Sequence, residues 1–279
     1  MRVLVCSRSD PASVGIRDAL LERGGWEATS RSFRGKPIWS ISEAVLVEVE
    51  GPSVLDEGLD ADLRATNLPL RDVWFLSKHA AASGQPSLTV HPIGNPDEAR
   101  FGGRPRTLCP AAPRDMGALL RRLAHHRDAA GLPHQVTYEA THHGPGMGIP
   151  TLFVEIGSDE SWYRDPKGAA AVADAITDVL GGEGRAADAP VLLGLGGGHY
   201  VPRATDLAKA GEADFGHLLP VHALEAAQAQ GRGPQLVRAA AAATPGCTGA
   251  HLHHKSMGGG LRRAVAEWCA EAGVPVVNA

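Results

Sequence analysis

Short apolar runs alternate with helical patterns along almost the whole of this sequence, and that alternation restricts the fold more than any other feature. Arg2 to Cys6 is an apolar run of strand length, closed by Ser7-Arg8-Ser9-Asp10-Pro11, where Asp10 can cap a helix reaching about Arg23 and stopping at Gly24-Gly25. Ala44 to Val49, Asp72 to Ser77 and Leu88 to His91 read as further strands of one sheet. Asp115 to Ala130 sets Leu119, Leu120 and Leu123 at helical spacing, with Arg121, Arg122, His125, His126 and Arg127 on the polar face. Gln135 to Ala140, Thr151 to Ile156 and Val191 to Leu195 are strand-like, and an alanine-rich helix over Lys167 to Leu180 ends at Gly181-Gly182. Helices near His222 to Gln230, Pro234 to Ala243 and Met257 to Ala272 follow, with strands at Gly249 to His253 and Val274 to Val277. The pattern predicts an α/β fold: a single domain over residues 1–279 with a mainly parallel or mixed sheet flanked by helices. Residues 92–113, rich in Pro, Gly and Arg, interrupt the pattern as a long functional loop, and Gly181 to Ala189 reads as a surface insertion.

Charge and cysteine usage narrow the chemistry. The net charge of −4 gives no overall reason to bind nucleic acid, so any such contact must be local. Cys6, Cys109, Cys247 and Cys269 form no C-x-x-C pair, which removes a zinc ribbon and a dithiol redox site and fits free thiols in a reducing compartment. No stretch has the roughly 20 apolar residues of a membrane span and the amino-terminal run is too short for a signal peptide, so a cytoplasmic location is expected.

Several of the 13 histidines fall where an expected strand gives way to a Gly- or Pro-rich loop, which is where open α/β sheets bind ligands. His79 follows Phe75-Leu76-Ser77-Lys78, and His91 closes a strand before Pro92-Ile93-Gly94-Asn95. His142 and His143 follow Ala140, and His199 follows Gly196-Gly197-Gly198. Four strand ends would thus deliver imidazoles, which act as acid or base near neutrality and ligate zinc, to one crevice. Glu155 would add a carboxylate. The glycine turn would let backbone N–H groups approach an oxyanion. His125, His126 and His134 read as structural. His251 and His253 alternate on one strand face, which fits a metal site and an exposed edge strand equally.

Absent motifs remove other classes. There is no H-E-x-x-H, no G-x-x-x-x-G-K-[ST] and no G-x-S-x-G, which disfavours zincin, P-loop and serine-esterase chemistry. Gly194 to His199 departs from the dinucleotide fingerprint at its third glycine, and Pro202 is read as opposing an immediate helix.

Taken in order, Ser77-Lys78-His79, Ser83-Gly84, Leu88 to Asn95, Thr141-His142-His143-Gly144-Pro145, Pro150 to Ser158, Gly194 to Tyr200 with Pro202-Arg203, Phe215-Gly216-His217 and Lys255-Ser256 resemble the archaeal and plant type of D-aminoacyl-tRNA deacylase. The resemblance runs over nearly the whole chain. It implies a fold of the phosphorylase/hydrolase-like kind, related to peptidyl-tRNA hydrolase, and hydrolysis of the ester of D-aminoacyl-tRNA. It also implies zinc, a tRNA substrate and no protein partner.

On this reading His142, His143, His199 and Glu155 are catalytic, and His79, His91, His142, His143 and His199 are metal ligands. Lys78, Gly196, Gly197, Gly198, Arg203 and Lys255 bind substrate. Arg121, Arg122, Arg127, Arg262 and Arg263 are further candidates for the tRNA. The alternatives are a nucleoside phosphorylase or other small-molecule hydrolase, which would need a phosphate-binding arginine such as Arg203, and a tRNA-binding protein without catalysis.

Overall fold

An unbroken apolar run is satisfied only where both faces of a strand are covered, and β1 (Arg2–Ser7) meets that demand in the middle of the computed structural model, with every side chain buried. The structure describes residues 1–277, so the last two residues of the expected domain range lie outside the described residues. β1 pairs in parallel with β4 (Ala44–Val49) and with β5 (Asp72–Ala80). On one side β4 carries the antiparallel pair β2 (Glu27–Phe33) and β3 (Lys36–Ile41). On the other side β5 pairs in parallel with β10 (Thr151–Ser158), β10 is antiparallel to β6 (Ser87–His91), and β6 is parallel to β9 (Gln135–Tyr138). The eight-stranded sheet is therefore mixed, in the order β2-β3-β4-β1-β5-β10-β6-β9.

A second sheet, entirely parallel, runs β12 (Asp214–Leu219), β11 (Val191–Leu195), β13 (Cys247–Leu252), β14 (Val276–Val277). A two-residue ladder, β7 (Gly94–Asn95) with β8 (Thr107–Leu108), lies within the segment expected to be a loop.

Helices α1 (Pro11–Glu22), α3 (Pro113–Ala129) and α5 (Pro166–Leu180) cover one face of the large sheet, α1 capped by Asp10 as expected. Their core is continuous from Leu4 and Trp74 through Leu119 and Leu120 to Phe215 and Leu218 of β12, so both sheets belong to one α/β domain. On the opposite face Val3, Val5, Phe75 and Phe153 pack with α2 (Leu59–Ala65). The second sheet is backed by α7 (Val221–Ala229), α8 (Gly233–Ala242) and α9 (Gly259–Ala272), and α6 (Pro202–Lys209) lies against β9 and α3. A four-residue helix, α4 (Glu160–Tyr163), follows β10.

The expectation that Pro202 opposes a helix is corrected, since Pro202 opens α6. At the first helical position its missing N–H has no intrahelical acceptor to lose, and its fixed φ suits the helix. Among the described residues no helix is long and apolar enough to cross a membrane.

Candidate active site

Strand alternation assembles the site on one face of the large sheet. Phe75, Ser77 and His79 of β5 stand in register with Phe153, Glu155 and Gly157 of β10, and His91 of β6 faces Phe153 from the other side. The floor is aromatic: Phe75 and Phe153 stack at 4.7 Å, and the His91 ring lies parallel to Phe153 at 5.0 Å. Gly157 is required here, because a Cβ at that position would stand 2.8 Å from Cδ2 of His79 and 2.5 Å from Oγ of Ser87.

The segment after β9 is stitched between the two sheets. The Glu139 amide donates to Val90, that of Ala140 to His199, and that of Thr141 to Leu218. A bridge between Glu139 and Tyr200 fixes the exit of β11 against the same segment. Beneath it His217 donates from Nε2 to the Cys109 carbonyl at 2.9 Å, and Thr141 Oγ1 lies 3.1 Å from its Nδ1. His143 holds a φ of 29°, a left-handed value that a non-glycine residue keeps only where its surroundings enforce it.

All five expected metal-ligand histidines meet there, around two buried carboxylates. His79 Nδ1 lies 3.0 Å from Glu139 Oε1 and 3.7 Å from Glu155 Oε2, and His199 Nε2 lies 2.8 Å from Glu139 Oε2. His142 Nε2 is 3.5 Å from the same Glu139 oxygen, and His91 Nε2 is 3.8 Å from Glu155 Oε2. His79 Nε2 meets the Tyr200 hydroxyl at 2.9 Å, and His142 Nδ1 donates to the Ala140 carbonyl at 2.8 Å. The rings of His91, His142 and His143 lie within 5.0 Å of one another, centre to centre.

Proximity here does not become hydrogen bonding. Both Glu139 oxygens, Glu155 Oε1, His91 Nε2 and His143 Nδ1 are buried with no hydrogen-bond partner. Buried polar atoms are normally satisfied, so a group of them left open together marks a place prepared for something else. Three sets converge closely enough to share a cation: His79 with Glu139 and His199, His91 with His142 and His143, and His91 with Glu139 and Glu155. Imidazole nitrogens and carboxylate oxygens are the donors that zinc and similar divalent cations take.

The electrostatics divide the histidines into two kinds. Burial opposes charge on His79, but Glu139 and Glu155 outweigh it and lift the imidazole to about 11. The same contest, with Glu155 as principal partner, raises His91. Glu139 is held well below the usual carboxylate range despite its burial, by His199 and His79, and Glu155 is held at about 2 by His79 and His91. Burial, reinforced by the charge on His91, pushes His142 well down and His143 to about 4, so both are neutral near pH 7.

Two hollows open onto the cluster and share His143. One, of about 390 Å³, is lined by Phe101, His142, His143 and His222 among others. The other, of about 130 Å³, is lined by Ser7, Asp10, Ser77, Lys78, His143 and Glu155. Lys78 is exposed at the rim of the smaller one.

Other expected residues fall into two groups. Gly196 to Gly198 do lead into His199, but the Gly196 amide donates to Leu219 and the Gly197 amide to Ser256 Oγ, at 2.8 Å each, so neither can receive an oxyanion. Arg203, whose charge bears on His251 and His253, and the exposed Lys255 gather beside this turn, next to the cluster and outside it.

The arginines of α3 are corrected outright. Arg121 ties to Asp214 and to the carbonyls of Gly184 and Ala208, Arg122 to Asp178, and Arg127 to the His134 carbonyl. They fasten the chain to itself and are not presented to an RNA. Glu139 is the residue that sequence reading missed. Its signal was a carboxylate at the end of an apolar strand, three residues before His142-His143.

The model of a family described as D-aminoacyl-tRNA deacylase matches residues 67–277. The D-aminoacyl-tRNA deacylase of Thermoplasma acidophilum is 32% identical over 279 residues, covering 100% of each chain. That of Methanosarcina barkeri is 36% identical over 228 residues, 80% of this chain and 73% of the relative. The crystal structure of a conserved protein of unknown function shares the fold with a TM-score of 0.87 at 28% identity, covering 99% of this chain and 94% of that one.

Proposed function

The chain belongs to the D-aminoacyl-tRNA deacylase family, and from that premise we propose that the histidine–glutamate cluster is where the ester of D-aminoacyl-tRNA is hydrolysed to free D-amino acid and tRNA. The activity is that of a proofreading hydrolase, and its substrate assigns the work to the cytoplasm. The observation that carries the reading is the set of buried carboxylate and imidazole atoms without hydrogen-bond partners, at the junction of two hollows.

His143 is the base. It lines both hollows with an imidazole that burial keeps neutral near pH 7, which places it to take a proton from water as the oxygen attacks the ester carbonyl. The bond to the ribose oxygen then breaks, and the same proton passes to the leaving oxygen. An ester asks for positioning and modest activation, which suits a site with no covalent nucleophile. Lys78 on the rim of the smaller hollow offers a cation toward the developing negative charge. Glu155 lines the same hollow, and its carboxylate fits the α-ammonium of the amino acid.

The residues fit zinc. His79, Glu139 and His199 would hold it, with His91 and His142 as the neighbouring donors. When bound, zinc supplies Lewis acidity toward the ester carbonyl and toward water.

The test is release of labelled tyrosine from D-tyrosyl-tRNA and L-tyrosyl-tRNA, before and after chelation and zinc restoration, with metal content measured on the same samples. His142→Ala and His199→Ala run alongside. Selective D-ester cleavage, lost in both variants and accompanied by stoichiometric zinc that His199→Ala fails to retain, is expected. Cleavage without D-selectivity would overturn the substrate reading, and full D-selective cleavage by protein that holds no metal would overturn the zinc reading.

A further inference from the structure

Among the described residues Leu55, Phe101 and Val276 are the large apolar side chains that stand exposed, and Phe101 is the most exposed of them at 65%. Phe101 and Leu55 sit on adjoining segments. At Gly102, which has a φ of +73°, a Cβ would stand 1.9 Å from the Val54 carbonyl oxygen, so the loop carrying Phe101 lies hard against the turn carrying Leu55.

That loop is pinned. The Phe101 carbonyl accepts from the Gly144 amide, one residue beyond His143. Asn95 Nδ2 donates to the Gly102 carbonyl at 2.9 Å, and the Gly103 amide donates to Glu57 Oε1 at 2.6 Å. A backbone tied at three successive residues holds the Phe101 ring out over the larger hollow. An exposed ring that adjoins the turn of a second exposed apolar side chain and lines a hollow over the cluster fits a ligand-binding edge.

The two hollows differ in the way the two halves of an aminoacyl ester of adenosine differ. The smaller is lined by the carboxylates of Asp10 and Glu155 and by serines, which suits the ammonium end of an amino acid. The larger is three times the size, at about 390 Å³ against about 130 Å³, and rings of Phe101, His142, His143 and His222 line it beside Asp97, Glu98 and Arg100. Exposed bases are held chiefly by stacking on such rings.

We propose that the larger hollow is the subsite for the terminal adenosine of the substrate, with Phe101 the platform on which the adenine stacks. This rests on the deacylase reading and orients the ester across the cluster, amino acid toward Glu155 and nucleoside toward Phe101. It gives the segment 92–113 its function.

The experiment compares wild type, Phe101→Ala and Phe101→Trp on two small substrates, 3′-O-D-tyrosyl-adenosine and D-tyrosine methyl ester. Adenosine 5′-monophosphate is run as a competitive inhibitor of D-tyrosyl-tRNA cleavage. Stacking of one base is worth about fivefold to somewhat more than a hundredfold in affinity. Phe101→Ala should therefore raise KM for the adenosine ester, and the inhibition constant of the nucleotide, by about fivefold or more. It should leave kcat and the methyl ester unchanged, and Phe101→Trp should restore both constants. Equal losses on the two esters, or an unchanged inhibition constant in Phe101→Ala, would overturn the subsite. Failure of wild type to cleave D-tyrosyl-tRNA would instead overturn the deacylase reading.

Discussion

Two clusters of buried charged groups on the large sheet are treated in opposite ways. At the start of β1 and β5 the Arg2 guanidinium, 1% exposed, donates to Asp72 at 2.6 Å and 3.1 Å and to Asp115 at 2.6 Å, and stacks 3.7 Å over the Trp74 ring. Arg71 completes Asp72 and Arg185 completes Asp115. On β10, at the end of β6 and in the segment after β9, Glu155, His91, Glu139 and His143 are also buried, and although both carboxylates have imidazoles in ion-pair range, each of the four residues keeps atoms that make no hydrogen bond. Burial of charge therefore does not by itself indicate function here. A concentration of open carboxylate and imidazole atoms at one place does, because isolated open atoms such as those of Trp74 and His134 occur elsewhere in the fold, whereas a convergent group of ligating atoms fits a ligand or a proton.

The contrast can be broken most forcefully at its paired end. Arg2→Met leaves two buried aspartates without their shared cation, and such a loss costs about 3–5 kcal/mol. A large fall in denaturation midpoint is expected, with kcat on D-tyrosyl-tRNA intact wherever the variant is folded. If kcat fell while stability held, the two ends would not be separate.

His217 sharpens the comparison from between the two sheets. It is fully buried, and burial lowers its pKa to about 4. The unfolded chain takes up a proton near pH 6.5 that the folded chain refuses until about pH 4. The contribution is therefore complete above pH 6.5 and is lost as pH falls toward 4, by about 3 kcal/mol. Urea unfolding from pH 7 to pH 4.5 should decline less steeply in His217→Gln than in wild type, and parallel declines would contradict the assignment.

Gly157→Ala makes a smaller probe, since overpacking costs about 1–3 kcal/mol. The added methyl collides with His79, so activity should fall further than that destabilisation explains. Proportionate losses would reduce Gly157 to a packing position.

Sequence reading reached the fold where local signals and tertiary demand agree. The fully buried strands β1, β4, β10 and β11, and β5 as far as Ser77, are largely apolar runs and declare themselves. β2 and β3 do not, because β2 is largely exposed and polar. Their signal was the two-residue turn Arg34-Gly35, both at positive φ, which joins strands tightly. β12 was legible only as Phe215-Gly216-His217, without its role as a strand.

The five site histidines could be found because each stands where a strand gives way to a loop. That they share one crevice was expected from their strand ends, whereas which atoms face which was not available, since it depends on the register of β5, β10 and β6. The arginines of α3 misled for the same reason: Asp178 and Asp214 lie far away in sequence, and a helix face bearing arginines looks identical whether it meets solvent, RNA or a distant carboxylate.

The most direct measurement pairs two readouts on Glu139→Gln: the rate of D-tyrosine release from D-tyrosyl-tRNA and the thermal midpoint of the same preparation. The change keeps the shape and removes the buried charge around which His79, His142 and His199 gather. A rate lower by about a hundredfold to ten-thousandfold, the range for a lost acid–base or ligand group, at an unchanged or higher midpoint is the predicted result. A normal rate, or a loss of rate matched by a loss of fold, would contradict the claim that the open charges of this cluster perform the hydrolysis.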